Sequence, residues 1–93
     1  MLDASKFFEA LGKRVLSIRK SRHYTQEDMI DFGFSARHWQ QIEAGRPITM
    51  TTLLRICEVF GTTVSKLTRG LDSGIYEAPP ELPPHRRGRR SSR

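Results

Sequence analysis

Apolar side chains recur at helical spacing along the first twenty residues of the chain. Successive members are three, four and three residues apart, which places them on one face of an amphipathic helix over residues 5–20. Asp3 or Ser5 could cap the start of this helix. Its apolar face consists of Phe8, Leu11, Val15 and Ile18.

A second and a third short helix are predicted on either side of Gly33. Thr25 and Asp28 have the spacing of a capping box, with Asp in place of the usual Glu, and they begin the second helix. Gly33 ends it, because glycine tolerates the positive φ of a tight exit. Ser35 is a good N-cap for the third helix, which Gly45 terminates.

Two further helices are predicted nearer the C-terminus. Thr49 caps the fourth, which stops at Gly61, and Thr62 or Thr63 begins a last short helix that ends at Gly70. With no strand pattern and no internal repeat, residues 1–71 are predicted to form one all-α domain. The core-facing residues predicted here are Leu53, Ile56, Cys57 and Phe60 of the fourth helix, and Val64 and Leu67 of the fifth.

The composition of the chain changes beyond residue 71. Residues 78–93 hold four of the five prolines and almost no apolar side chains, so burial cannot offset the entropy cost of ordering them. Residues 72–93 are therefore predicted to be a disordered, basic C-terminal tail. Between domain and tail, Ile75 and Tyr76 could dock on the domain or on a second subunit.

The chain is basic, which favours an acidic partner such as nucleic acid. Sixteen Lys and Arg stand against ten Asp and Glu, a formal net charge of +6 at pH 7. All five arginines of the tail lie within its last eight residues. This cluster is either a solvated tail or an arm that adds phosphate or minor-groove contacts, and both interpretations remain open.

Other kinds of chemistry find little support in the sequence. With a single cysteine and three histidines, no disulfide and no metal site is predicted, and Cys57 is expected to be an inert core thiol. No paired nucleophile and base, paired carboxylates or phosphate loop can be assembled, so neither an enzyme nor a cofactor is predicted. Charges interrupt the apolar N-terminal residues, and a soluble, cytoplasmic protein without a membrane partner is expected.

The third predicted helix separates its side chains into two faces. At about 100° per residue, Trp39 and Ile42 fall on the inner face with Ser35. Arg37, Gln40 and Gln41 fall on the outer face. Arginine pairs bidentately with guanine and glutamine with adenine, so these outward residue types are suited to reading base edges in DNA.

Residues 11–67 resemble the helix-turn-helix domain of phage repressors and Cro proteins, the XRE family. The resemblance rests on Arg19 before the Thr-Gln helix start, on Gly33 at the turn, on the Ile-Glu-x-Gly helix end at residues 42–45, and on the Leu-rich fourth helix. It implies a five-helix, lambda-repressor-like fold in which the third helix lies in the major groove of DNA.

The resemblance also implies a role for individual residues. Arg19 and Glu43 match a partly buried ion pair that locks the first helix onto the end of the third. Trp39 replaces the usual aliphatic core residue, and we expect its bulk to fill the space left by a second helix one residue shorter than usual. The implied base contacts are Ala36, Arg37, Gln40 and Gln41; the implied DNA-backbone contacts are Gln26, Ser35, His38 and Arg46.

These observations predict a sequence-specific DNA-binding transcriptional regulator of the repressor or controller type. A homodimer on a palindromic double-stranded operator is expected, with the fifth helix and residues 74–78 as the dimer surface. Two alternatives remain open. One is an antitoxin-like module that binds a protein partner, and the other is an RNA-binding protein that uses the arginine-rich tail.

Overall fold

The computed structural model describes residues 2–76, and this part of the chain contains five α-helices and no strand. The all-α prediction is therefore confirmed for these residues. None of the described helices is both long and apolar enough to cross a membrane. The predicted tail lies outside the described residues from residue 77 onward, and with it the arginine cluster. The helices are α1 (Ala4–Ser21), α2 (Gln26–Asp31), α3 (Ala36–Glu43), α4 (Met50–Phe60) and α5 (Val64–Leu67).

Each helix begins at a side chain that accepts a hydrogen bond from the backbone of its first turn. In α2 the predicted capping box is complete: the Asp28 amide donates to Thr25 Oγ1 over 3.1 Å, and the Thr25 amide donates to Asp28 Oδ2 over 2.7 Å. The structure also selects between the alternative caps, with Asp3 rather than Ser5 before α1 and Thr63 rather than Thr62 before α5. The remaining N-caps are Ser35 and Thr49.

The core of the domain is built around Trp39 of α3, which is completely buried. Its ring makes edge-to-face contacts with Phe34, at a centroid distance of 4.9 Å, and with Phe60 of α4, at 6.2 Å. Such pairs favour one relative orientation of their rings in addition to the area they bury. The indole therefore joins α3, α4 and the α2–α3 connection, as its predicted core role requires. Other members of the core are Leu11, Val15, Met29, Ile42, Leu53, Ile56, Cys57, Leu67 and Leu71.

The backbones of α1 and α3 approach each other at Gly12. A Cβ atom at this position would lie 2.7 Å from the carbonyl oxygen of Ile42 and 2.8 Å from that of Glu43. Both distances are shorter than real Cβ atoms show, so only glycine fits without movement of the backbone. No pattern in the sequence singles out Gly12.

The packed structure continues past α5 and returns to the start of α1. Ile75 is buried, and its carbonyl oxygen accepts a hydrogen bond of 2.7 Å from the Asp3 amide. Arg14 of α1 holds the end of α5 through hydrogen bonds to the carbonyl oxygens of Leu67 and Arg69. Of the two residues expected to dock, Ile75 packs on its own domain, whereas Tyr76 remains exposed.

Candidate nucleic-acid interface

The third helix exposes one face and buries the other. Trp39 and Ile42 are 0% and 2% exposed. On the opposite face Arg37 and Gln40 are exposed and Gln41 is half-buried. These residues lie as the helical phase predicts, but Ser35, predicted on the inner face, is exposed because it is the N-cap and lies before the first helical residue. Ala36, the fourth predicted base contact, is also exposed at the N-terminus of the helix.

The start of α3 is fixed by a hydrophobic staple. Phe34 immediately precedes the N-cap Ser35, and its ring packs against Trp39, the fourth residue of the helix. A contact between these two positions sets the angle at which the chain enters a helix. The turn before it is held by hydrogen bonds from the Gly33 amide to the carbonyl oxygen of Ile30, 2.9 Å, and from the Phe34 amide to that of Met29, 3.1 Å. Gly33 has φ +108°, which favours glycine.

Arg55 of α4 also contacts this turn, and sequence reasoning missed it. Its Nη2 donates a hydrogen bond of 2.8 Å to the carbonyl oxygen of Gly33. The central carbon of the guanidinium lies 4.4 Å from the centre of the Phe34 ring, within cation–π range. No local signal marks Arg55 in the sequence, because its partners lie more than twenty residues earlier in the chain.

The carboxylate of Glu43 joins three helices at the other end of α3. Arg19 of α1 donates from Nε to Oε2 over 2.5 Å and from Nη2 to Oε1 over 3.2 Å. The Trp39 indole donates to Oε2 over 2.7 Å, and the Gln26 amide donates to Oε1 over 3.2 Å. The Arg19 and Glu43 side chains are only 9% and 8% exposed. The ion pair that the resemblance implies is present, and Trp39 and Gln26 are further partners that it did not imply.

The four predicted DNA-backbone contacts differ in their exposure. Arg46 is exposed just beyond the end of α3, and Ser35 is exposed at its start. The hydroxyl of Ser35 accepts a hydrogen bond from the His38 amide as the helix cap, and a hydroxyl can still donate. His38 is half-buried, with its ring 6.3 Å from that of Phe34. Gln26 is half-buried too, and one of its amide hydrogens is directed to Glu43.

The described residues also form an apolar groove away from α3. It has a volume of about 210 Å³ and lies between the first turns of α1, the start of α4, and α5. Phe7 and Phe8 line one side, with Ile48, Met50 and Val64 on the others. Met50 is 62% exposed, so the groove opens to solvent beside an apolar side chain. No pattern in the sequence predicts this groove.

The one cysteine, Cys57, faces the core from α4. Burial raises the pKa of its thiol and thereby disfavours the reactive thiolate. This direction agrees with the expected inert core thiol and gives Cys57 no part in the candidate interface.

Comparisons with known proteins add no further information, since no protein-family model, curated protein or solved structure matches the chain.

Proposed function

We propose that the protein is a sequence-specific DNA-binding transcriptional regulator in which α2 and α3 form a helix-turn-helix and α3 enters the major groove. The observation that carries this proposal is the outer face of α3. Arg37 and Gln40 are exposed there beside the half-buried Gln41, while Trp39 and Ile42 anchor the opposite face. Exposed guanidinium and amide groups on one helix face match the donor and acceptor pattern of base edges.

The size and rigidity of α3 also support the proposal. An α-helix with its side chains is about 10–12 Å in diameter and fits a major groove about 12 Å wide, and the eight residues of α3 make it about 12 Å long. Base reading requires the helix to be held in a defined orientation. The staple at Phe34 and the Glu43 carboxylate hold the two ends of α3 against the rest of the domain.

The fold that we propose is the lambda-repressor-like five-helix arrangement. It is supported by the order of the helices, by Gly33 between α2 and α3, and by the ion pair between Arg19 and Glu43. In this arrangement the N-terminus of α2 and the segment after α3 approach DNA phosphates. We therefore propose that all four predicted residues contact the DNA backbone: Gln26, Ser35, His38 and Arg46.

One helix-turn-helix unit presents little surface to DNA, so we propose a homodimer in the cytoplasm that acts as a repressor or controller. Its two copies would read a palindromic operator with half-sites about one helical turn apart. The net charge of +6 favours association with any duplex, and the outer face of α3 supplies the selection among sequences.

Selection of bound duplexes from a random pool, at a stated salt concentration, tests this function directly. We expect a two-fold symmetric motif to be enriched. Arg37→Ala and Gln41→Ala should each cost about 1–3 kcal/mol at that motif and relax the base preference at one position per half-site. Lys13→Ala, which removes one exposed positive charge from α1 outside both α3 and the expected dimer surface, is the charge-matched control. Failure to enrich any duplex, or an Arg37→Ala variant with unaltered base preference, would refute the proposal.

The apolar groove favours a second candidate, a protein-interaction module. An open groove beside an exposed Met50 could receive an apolar side chain from a partner protein. This candidate predicts that no duplex is enriched from the pool and that a charge at Met50 abolishes partner binding. The RNA-binding alternative depends on the arginines of the tail, which lie outside the described residues.

A further inference from the structure

Arg55 connects α4 to the two residues that precede the cap of α3. Its guanidinium holds the carbonyl oxygen of Gly33 at 2.8 Å and lies over the ring of Phe34 at 4.4 Å. Phe34 in turn contacts Trp39 inside α3. A chain of contacts therefore runs from α4 through the turn into the first turns of the proposed recognition helix.

These two contacts restrict how α3 can rotate relative to the domain. α2 is only six residues long and ends at Asp31, two residues before Gly33, so the turn sets the geometry between α2 and α3. The Gly33 hydrogen bond fixes the direction of the turn carbonyl, and the planar guanidinium on Phe34 restrains the ring that begins the staple. Movement of the turn would break both contacts together.

We infer that Arg55 is a positioning residue for sequence recognition, because its contacts with Gly33 and Phe34 set the angle at which α3 meets the major groove. The inference rests on the proposed DNA-binding function. A displacement of about 1 Å at a recognition surface is enough to lose well-aligned bidentate contacts. Arg55 thereby determines which outward residue of α3 meets which base without reading a base itself.

A direct phosphate contact by Arg55 is the competing role. The guanidinium has five N–H donors, and the side chain is only half-buried, so a phosphate could reach it. The structure favours positioning, since one donor and the face of the guanidinium are already engaged by the turn. The two roles predict different effects of replacing Arg55 by lysine, which keeps the charge but not the planar fork.

The test compares Arg55→Lys, Arg55→Ala and the control Lys13→Ala on duplexes selected by the wild-type chain. For both Arg55 variants we expect the ratio of specific to non-specific affinity to fall about tenfold, the size of one charged hydrogen bond. The dependence of log Kd on log salt should stay unchanged for Arg55→Lys. The control should keep the wild-type base preference.

Two outcomes would overturn the positioning role and leave the proposed function intact. The first is an Arg55→Lys variant with wild-type base preference. The second is an Arg55→Ala variant whose affinity falls by the same factor for every duplex. Its salt slope would also be smaller by about one, as expected for a lost phosphate contact. A wild-type chain that selects no duplex would instead overturn the proposed function, and the role of Arg55 in recognition with it.

Amide hydrogen exchange provides a readout without DNA. The amides of Phe34 and Trp39 donate hydrogen bonds at the turn and in the first turn of α3. In Arg55→Ala we expect these amides to exchange about tenfold faster, while amides in the middle of α1 keep their wild-type rates. Equal acceleration throughout the domain would indicate a general loss of stability and refute the positioning role, as would no acceleration at all.

Discussion

Replacement of Gly12 by alanine tests the contact between α1 and α3 that presents the candidate interface. The new Cβ would lie 2.7 Å from the carbonyl oxygen of Ile42, 2.8 Å from that of Glu43 and 2.9 Å from the amide nitrogen of Gly45. Ordinary van der Waals contact begins at 3.4 Å, so the end of α3 must move by about 0.7 Å. All three neighbours are backbone atoms, which cannot turn aside as the end of a side chain can.

Two free-energy terms of opposite sign decide the result. Overpacking a tight contact costs about 1–3 kcal/mol, whereas alanine in place of glycine inside a helix contributes about 0.5–1 kcal/mol. We expect a net loss of about 1–2 kcal/mol in the free energy of unfolding, because rigid atoms oppose the new methyl group. In a domain of this size each kcal/mol corresponds to about 4–8 °C in Tm.

Thermal and urea denaturation followed by far-UV circular dichroism measure this loss. Ser17→Ala is the matched control, because Ser17 is exposed in the same helix and gains helix propensity without a new contact. That control should be more stable than wild type by about 0.5 kcal/mol. If Gly12→Ala were also more stable than wild type, helix propensity alone would explain it, and the close approach of α1 and α3 would be refuted.

Three further predictions concern single side chains. Glu43→Gln should lower the free energy of unfolding by about 3 kcal/mol, because it leaves Arg19 buried without its counter-charge, and urea denaturation measures the change. His23→Gly should raise it by about 0.5 kcal/mol, because His23 adopts φ +61° between α1 and α2, a conformation strained for residues with a Cβ. Because burial raises the pKa of Cys57 in the folded state, the thiol contributes stability that is fully present below its ordinary pKa of 9.0. This stability is lost as pH rises through the folded-state pKa. The Tm of wild type should therefore fall more steeply above pH 9 than that of Cys57→Ala.

Each of these three predictions has an outcome that contradicts it. A Glu43→Gln variant as stable as wild type would show that the carboxylate carries no net stabilising charge interaction with Arg19. A loss of stability in His23→Gly would mean that the imidazole makes a contact worth more than the backbone strain. Parallel Tm curves for wild type and Cys57→Ala above pH 9 would show that the thiol titrates equally in the folded and unfolded chains.

Much of the local structure could be predicted from the sequence. Thr25, Ser35 and Thr49 act as the helix caps that their spacing indicated, since a cap bonds to an amide only three residues away. The orientations of Trp39 and Arg37 also follow from sequence, because the phase of a helix depends on residue number alone. These predictions succeed where the determining interactions are local.

Apart from the Arg19–Glu43 ion pair, which the resemblance implied, only the tertiary structure revealed how the candidate interface is supported. Arg55 contacts Gly33 across 22 residues of sequence, and Gln26 contacts Glu43 across 17. Periodicity assigns each of these side chains to a face of its helix, but not to a partner on another helix. The same holds for Gly12, which reads as an ordinary small residue until α3 is placed against it.

The sequence by itself determined the helices, their caps and the two faces of α3, because each depends on contacts within about one helical turn. The tertiary structure decided what holds α3 in place: Glu43 at one end, Arg55 and Phe34 at the other, and the close contact at Gly12. The physical reason is that these contacts depend on the distances and angles between packed helices. Those quantities are set by the fit of side chains from distant parts of the chain.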